Sequence, residues 1–328
     1  MALLDELNAV STYYWMKTPM GDSVDIVSKA SALLYKLMGN AIARNNWEVK
    51  NHETVDGGLM IKVPLEYASS NHGAYGPQTV INQSKKKIYD AARFGWGGAY
   101  GSNSLDLDDL TKCTGDEAMI DLAKGKIESI KKAIRIDLSS QIMARQTDGI
   151  SLDGLGNLFD TTTSTEYGSI AEDNMAAWKA NVITTADTIS FSVLQGIWRT
   201  PAMGDIDEYL PNFCVTTAVL RDGYELSLHP QQRYANEEIV KAGWNNIVHK
   251  GAPIVADTYQ TSGYFDALNL RFLHLRAHKD YNFTNPVWMH KGILGQPDNL
   301  SADTRFRGNL ICTNRQMQVR HTNLTVPA

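Results

Sequence analysis

The sequence predicts an α+β fold, on three observations. Apolar residues recur at steps of three or four from Ile120 to Ile142, the period of a helix packed along one face. Residues 60–67 alternate instead, with Ile61, Val63, Leu65 and Tyr67 on one side of a half-buried strand. The C-terminal run from Asn309 to Val326 is rich in Thr, Val, Ile and Asn and follows no helical period, so it reads as extended chain. A chain of 328 residues fits about two domains, and 43% hydrophobic with 20% charged residues is an ordinary globular composition. The balance of 31 basic against 36 acidic residues argues against a dedicated nucleic-acid binder. Cys113, Cys214 and Cys312 form no CxxC pair and read as reduced packing residues of a chain folded in a cytosol. Asp5 and Glu6 stand where a signal peptide is basic, and no apolar run reaches ~18 residues, so neither secretion by that route nor a membrane span is expected.

Residues 1–50 read as an arm carrying one helix. From Val24 to Ala43 the side chains of Val27, Ala30, Leu34, Leu37 and Ala41 share a face, with Asp22 or Ser23 as N-cap. Before it, Tyr13, Tyr14 and Trp15 form an aromatic knot that must bury against the body or against something else. The strand at 60–67 bears Pro64, which suits a sheet edge. ASSNHGAYGPQ then turns the chain, and an extended run from Thr79 passes through Lys85, Lys86 and Lys87. Together these predict a long hairpin closing near Phe94-Gly95-Trp96, too poor in large apolar residues to hold a core of its own. Thr114-Gly115-Asp116-Glu117 is a capping box that opens the strongest helix, running to about Ala144 and stopped by Asp148-Gly149. Lys124, Lys126, Lys131 and Lys132 occupy its other faces. After a turn-rich stretch from Gly154 to Ala180, Ile189, Val193 and Ile197 mark a helix over Thr188–Arg199, ended by Pro201. FCVTTAVL, residues 213–220, reads as a buried strand, Asp222–Leu228 as a polar helical stretch, and GAPIVAD as a strand leaving a turn at Lys250-Gly251. No repeat or linker separates independent domains.

Catalytic motifs are sparse. Gly95-Trp96-Gly97-Gly98-Ala99-Tyr100-Gly101 lacks the Gly-Lys-Ser/Thr ending of a phosphate loop, and Gly21-Asp22-Ser23-Val24-Asp25 lacks the second glycine of a nucleophile elbow. The acidic groups Asp106, Asp108, Asp109 and Asp205, Asp207, Glu208 lack the ligand order of an EF-hand. The sharpest candidate is HLRAHKD. Histidines four apart share one face of a helix in zinc hydrolases, and an intracellular metallo-hydrolase would use His274, His278 and Asp280. Leu275 stands where those enzymes carry a glutamate, Arg276 shares the face, and the flanking apolar residues repeat every two. Structural histidines on a strand are the better reading, and no cofactor is expected.

The C-terminal order KGAPIVAD, LNLRFLHLRAHKDYNF, FRGNLICTNRQMQVRHTNL resembles the tailed-bacteriophage major capsid proteins of the Hong Kong 97-type fold. The central EYGSIAEDNMAAWKANV, and the pair DAARFGWGGAYGSNSLDLDDL with GDEAMIDLAKGKIESIKKAIRIDLSSQIM, extend the resemblance over nearly the whole chain after residue 50. It implies an N-terminal arm at 1–54, an extended β-hairpin loop at 55–94 and a peripheral domain at 95–185 with a long spine helix near 115–145. An axial domain at 186–272 and a return to the peripheral domain at 273–328 complete the implied architecture.

For function, the resemblance implies a non-enzymatic major capsid protein that self-assembles into hexamers and pentamers of an icosahedral shell around double-stranded DNA. Such a protein is made and assembled in the host bacterial cytoplasm and ends in the virion. Its implied partners are further copies of itself, a portal protein, a separate scaffolding protein, DNA held non-specifically on the inner face and, in some members, decoration proteins, with no membrane. Contacts between subunits are expected at Tyr13, Tyr14 and Trp15 of the arm and at Ile61, Val63, Tyr67, Tyr75, Lys85, Lys86 and Lys87 of the loop. Some relatives crosslink a loop lysine covalently. An encapsulin-like compartment of the same fold, loading enzyme cargo, is the alternative left open by the sequence.

Overall fold

The computed structural model describes residues 31–38, 54–78, 80–106, 116–162, 166–171, 175, 178–201, 209–228, 246–290 and 299–327. Within these, a five-stranded sheet is built around one long strand, Asn299–Cys312. Gly97–Asp106 pairs with it antiparallel over ten residues, from Asn299 opposite Asp106 to Gly308 opposite Gly97. Leu273–His278 pairs with its far end, Met289–His290 with its start, and Thr54–Val55 adds a short parallel strand beside Leu273–His278. The strand therefore begins well before Asn309, where the C-terminal extended run was expected to start. Its alternation is plain in burial, with Ala302, Thr304 and Phe306 inside and Arg305 and Arg307 outside. It also ends sooner, because Asn314 accepts a hydrogen bond from the Gln316 N–H and turns Arg315–Met317 into a short 3-10 segment.

The long helix, Asp116–Met143, lies on this sheet. Ala123, Ile127, Ile130, Ile134, Leu138 and Ile142 are all buried, as their spacing requires. Thr114 and Gly115 of the capping box lie outside the described residues. The close approach has a backbone requirement: a Cβ at Gly101 would stand 2.8 Å from the Ile130 carbonyl oxygen. Gly101→Val is expected to push the helix off the sheet and to cost about 3 kcal/mol, read as a loss of urea-unfolding free energy. An unchanged unfolding midpoint would refute this account of the packing. The side of the helix away from the stripe is not all exposed, since Lys131 is buried together with Arg135 and Ser139 in the next two turns. Burial brings Lys131 down to about 8 and Arg135 to about 9.

A second, six-stranded sheet runs in the order Asn246–His249, Ala252–Ala256, Phe213–Thr216, Phe265–Leu268, Val319–His321, Asn181–Ile183. Alternate residues of each strand serve different cores. Cys214, Ile254, Phe265 and Ala267 face the helices Phe191–Arg199 and Ala218–Ser227. Phe213, Val215, Val255 and Leu268 join the core that holds the long helix and the first sheet. The helix expected from Thr188 begins at Phe191, because Asp187–Thr188 pairs with Leu324–Thr325 and Ser190 then caps the Val193 N–H. The strand expected over 213–220 stops at Thr216, and Val219, two-thirds exposed, already belongs to the next helix.

The C-terminal residues contribute to both sheets. Val319–His321 pairs between Phe265–Leu268 and Asn181–Ile183, within the second sheet. Two contacts hold it there. Asn269 and Gln318 exchange backbone-to-amide hydrogen bonds of 2.8 and 3.0 Å, and Arg320 forks onto Asp266 at 2.6 and 2.7 Å.

Of the helix expected over Val24–Ala43, Ala32–Met38 lies within the described residues. Ala32, Leu33, Leu34, Leu37 and Met38 are buried in the chain's own main core. Asp257 accepts hydrogen bonds from the Ser31 side chain and the Ala32 N–H, while burial raises its carboxyl. This part of the arm is thus packed into the core of its own chain.

The helix-covered core of the second sheet encloses His249, 2% exposed. Its Nδ1 lies 2.7 Å from the Tyr224 hydroxyl, and the rings of Trp198 and Phe191 stand 4.7 and 5.1 Å away. Burial, then the Lys250 charge, lowers its pKa to about 4. The unfolded chain takes up this proton near 6.5 and the folded chain only near 4, so stability is expected to fall as pH drops through that window. Urea unfolding at pH 7 and pH 4.5 checks this: the slope with pH should be shallower in His249→Phe, and equal slopes would refute it.

Candidate assembly surfaces

Ile61–Glu66 and Tyr89–Phe94 form the root of the hairpin, paired from Ile61 opposite Phe94 to Glu66 opposite Tyr89. Burial alternates strictly along the first strand, and Ile61, Val63 and Leu65 join Ala92 and Phe94 in the main core. Phe94 meets Tyr167 edge-on at 5.1 Å. Ile61 and Val63 are therefore spent inside their own chain, which corrects their expected role as contacts between subunits.

Beyond the root the predicted second strand does not form, and among the described residues 68–87 none is buried and none is helix or strand. The two legs are tied by polar side chains instead: Asn71 Nδ2 donates to the Ser84 carbonyl at 2.8 Å, and Lys86 Nζ to that of Ser69 at 3.1 Å. Lys87 pairs with Asp90 at 2.6 Å, a hydrogen bond that raises the lysine and lowers the carboxylate. Lys85, Lys86 and Lys87 are all exposed. Tyr67 is half-buried at the root, and Tyr75 is 77% exposed. Val80 and Ile81, 93% and 62% exposed, complete an uncovered apolar tip. Their signal was present in the extended run after Thr79, which lacks any apolar partner strand. Tyr13, Tyr14 and Trp15 lie outside the described residues.

A second open surface is the face of the first sheet turned away from the long helix. Tyr100 sits opposite Arg305 and Gly98 opposite Arg307. With Tyr281 and Ile150 these residues line a groove of about 600 Å³.

HLRAHKD is strand, not helix. Leu273, Leu275 and Ala277 are buried while His274, Arg276 and His278 face the other way. At ~3.3 Å per residue the two histidine Cα atoms stand ~13 Å apart, too far to share one ion. His278 Nδ1 accepts the Asp280 N–H at 3.1 Å, and its ring packs between Trp96 and Tyr281. Among the described residues no group of three His, Cys, Asp or Glu side chains is placed to hold a metal. The metallo-hydrolase alternative is overturned by this geometry. Cys214 and Cys312 are buried, and burial pushes the Cys312 thiol up to about 12; Cys113 lies outside the described residues. No helix among the described residues is long and apolar enough to cross a membrane.

No family model matches the chain, and neither does any curated protein. Solved structures do. The capsid asymmetric unit of cyanophage A-1(L) superposes with a TM-score of 0.62 at 11% identity, over 83% of this chain and 89% of that one. The capsid of a native GTA particle gives 0.56 at 10% identity over 83% and 87%, and the empty particle 0.54 at 10% over the same shares. At such identities the likeness lies in the path of the backbone: the chain has the Hong Kong 97-type capsid fold.

Proposed function

We propose that the chain is the major capsid protein of a tailed phage, a structural and non-catalytic subunit that assembles into the hexamers and pentamers of an icosahedral shell enclosing double-stranded DNA. The observation that carries this reading is the likeness to the cyanophage A-1(L) capsid over 83% of the chain. The loop supports it physically. Residues 68–87 expose Tyr75, Val80 and Ile81 and bury nothing of their own, so they gain stability only against a partner. Interfaces of ~2,000–5,000 Å² between copies supply that partner. Tyr67, Tyr75, Lys85, Lys86 and Lys87 then reach a neighbouring subunit, as do Tyr13, Tyr14 and Trp15 of the arm.

In this reading the first sheet and the long helix are the peripheral domain and its spine, and the second sheet with its two helices is the axial domain. A net charge of −5 suits a wall that contains DNA without gripping it. Portal and scaffolding proteins, and decoration proteins where present, are the remaining partners, with assembly in the host cytoplasm. Negative-stain microscopy and sedimentation of the expressed protein, alone and with its scaffold, test the proposal. Icosahedral particles of megadalton mass are expected, and a monodisperse monomer under both conditions overturns it.

A further inference from the structure

We infer that the groove on the open face of the first sheet receives an acidic segment of a second copy, Asp205-Ile206-Asp207-Glu208, through Arg305 and Arg307; this rests on the shell reading above. Arg305 and Arg307 are two apart on the long strand and exposed on the same side, with buried Phe306 between them. Their cross-strand neighbours are Tyr100, which stands 70% exposed as an aromatic wall, and Gly98, which has no side chain to screen Arg307. Arg305 has one carboxylate partner, Asp303, at 2.6 Å. The Arg307 guanidinium has no hydrogen-bond or ion-pair partner among the described residues. Arginines whose Cα atoms stand ~6.6 Å apart along a strand suit carboxylates that are also two residues apart in sequence.

On a chain of net charge −5, such a basic groove marks a site for an acidic ligand. The sequence offers that spacing twice, at Asp106 and Asp108 and at Asp205 and Asp207. The first pair begins on Gly97–Asp106, the strand that builds the groove wall itself. The second pair lies in sequence about a hundred residues from that strand and is the occupant we assign to a neighbouring copy.

Charge exchange tests this in the full chain. Arg305→Glu with Arg307→Glu, and separately Asp205→Arg with Asp207→Arg, are each expected to cut particle yield by about tenfold at low salt. All four substitutions in one chain should restore it. Restoration by the four-fold variant also shows that the charges, not misfolding, caused the loss. Double variants that assemble like the parent overturn the inference and leave the shell reading standing. So does a four-fold variant that stays unassembled, since the pairing would then be absent, or double variants whose unassembled chains lose unfolding stability that the four-fold variant regains, since the pairing would then be within one chain. A parent chain that never assembles overturns the shell reading itself.

Discussion

Arg320→Met is expected to lower the unfolding free energy of the unassembled chain by about 3–5 kcal/mol, the cost of leaving a buried charge without its partner. Asp266 is fully buried and Arg320 nearly so, and the two residues are direct cross-strand neighbours. The guanidinium satisfies both carboxylate oxygens, and Gln260 donates a third hydrogen bond at 2.7 Å. Arg320 also stacks over Phe159 at 4.4 Å and Tyr264 at 5.1 Å. Phe159 belongs to the main core, so one side chain ties the second sheet to the body that carries the first. The double variant Asp266→Leu with Arg320→Met removes both charges and should recover most of the loss, because the penalty arises from the stranded carboxylate. Urea unfolding of Arg320→Met, Asp266→Leu and the double variant decides it. A loss under about 1 kcal/mol for Arg320→Met, or a double variant that loses the sum of the single effects, would show that the pair does not hold the sheets together.

That pair also shows where sequence reasoning stops. Periodicity exposed what is local: the stripe from Ala123 to Ile142, the alternation at Ile61, Val63 and Leu65, and the period of two that makes HLRAHKD a strand. A buried arginine leaves no such trace. Arg315, 1% exposed, donates to the carbonyls of Leu158 and Trp178 and so pins the turn-rich region, yet its surroundings in sequence are polar and unremarkable. Lys131 is buried although it lies off the apolar stripe, because a helix wheel says which residues share a face, not what covers it. Ile61 and Val63 were assigned to a neighbour for a similar reason, since the core they enter includes Tyr167 and Ile170, about a hundred residues on. The membership of Val319–His321 in the second sheet depends on Gln318 meeting Asn269 across 49 positions. Arg305 and Arg307 were legible in the alternation of RFRGN, but their meaning required the opposing Gly98 and Tyr100.

Excising the loop is expected to separate folding from assembly. The backbone N–H of Tyr67 donates to the Ile88 carbonyl at 3.1 Å, so the two ends of the loop are already adjacent. Residues 68–87 can therefore be replaced by Asn-Gly, the dipeptide that closes a two-residue hairpin. No described side chain in that span is buried, and the Lys87–Asp90 pair lost with it is an exposed one of little worth. The unfolding free energy should move by less than about 1 kcal/mol, with a small gain from the shorter closure. Particle formation, by contrast, should be lost at concentrations where the parent assembles, because Tyr75, Val80, Ile81 and the three lysines leave together. Sedimentation velocity and urea unfolding on the same preparation read the two effects side by side. Closed shells of the parent's size from the loopless chain would remove the loop from the list of subunit contacts. A collapse of its stability would instead mean that the exposed loop is part of the monomer's fold, against the burial of Ile61, Val63 and Leu65 that anchors the hairpin from its root. Arg320→Met should behave in the opposite way, lowering stability before any interface is touched, so the two variants together distinguish the forces that make the subunit from those that join subunits.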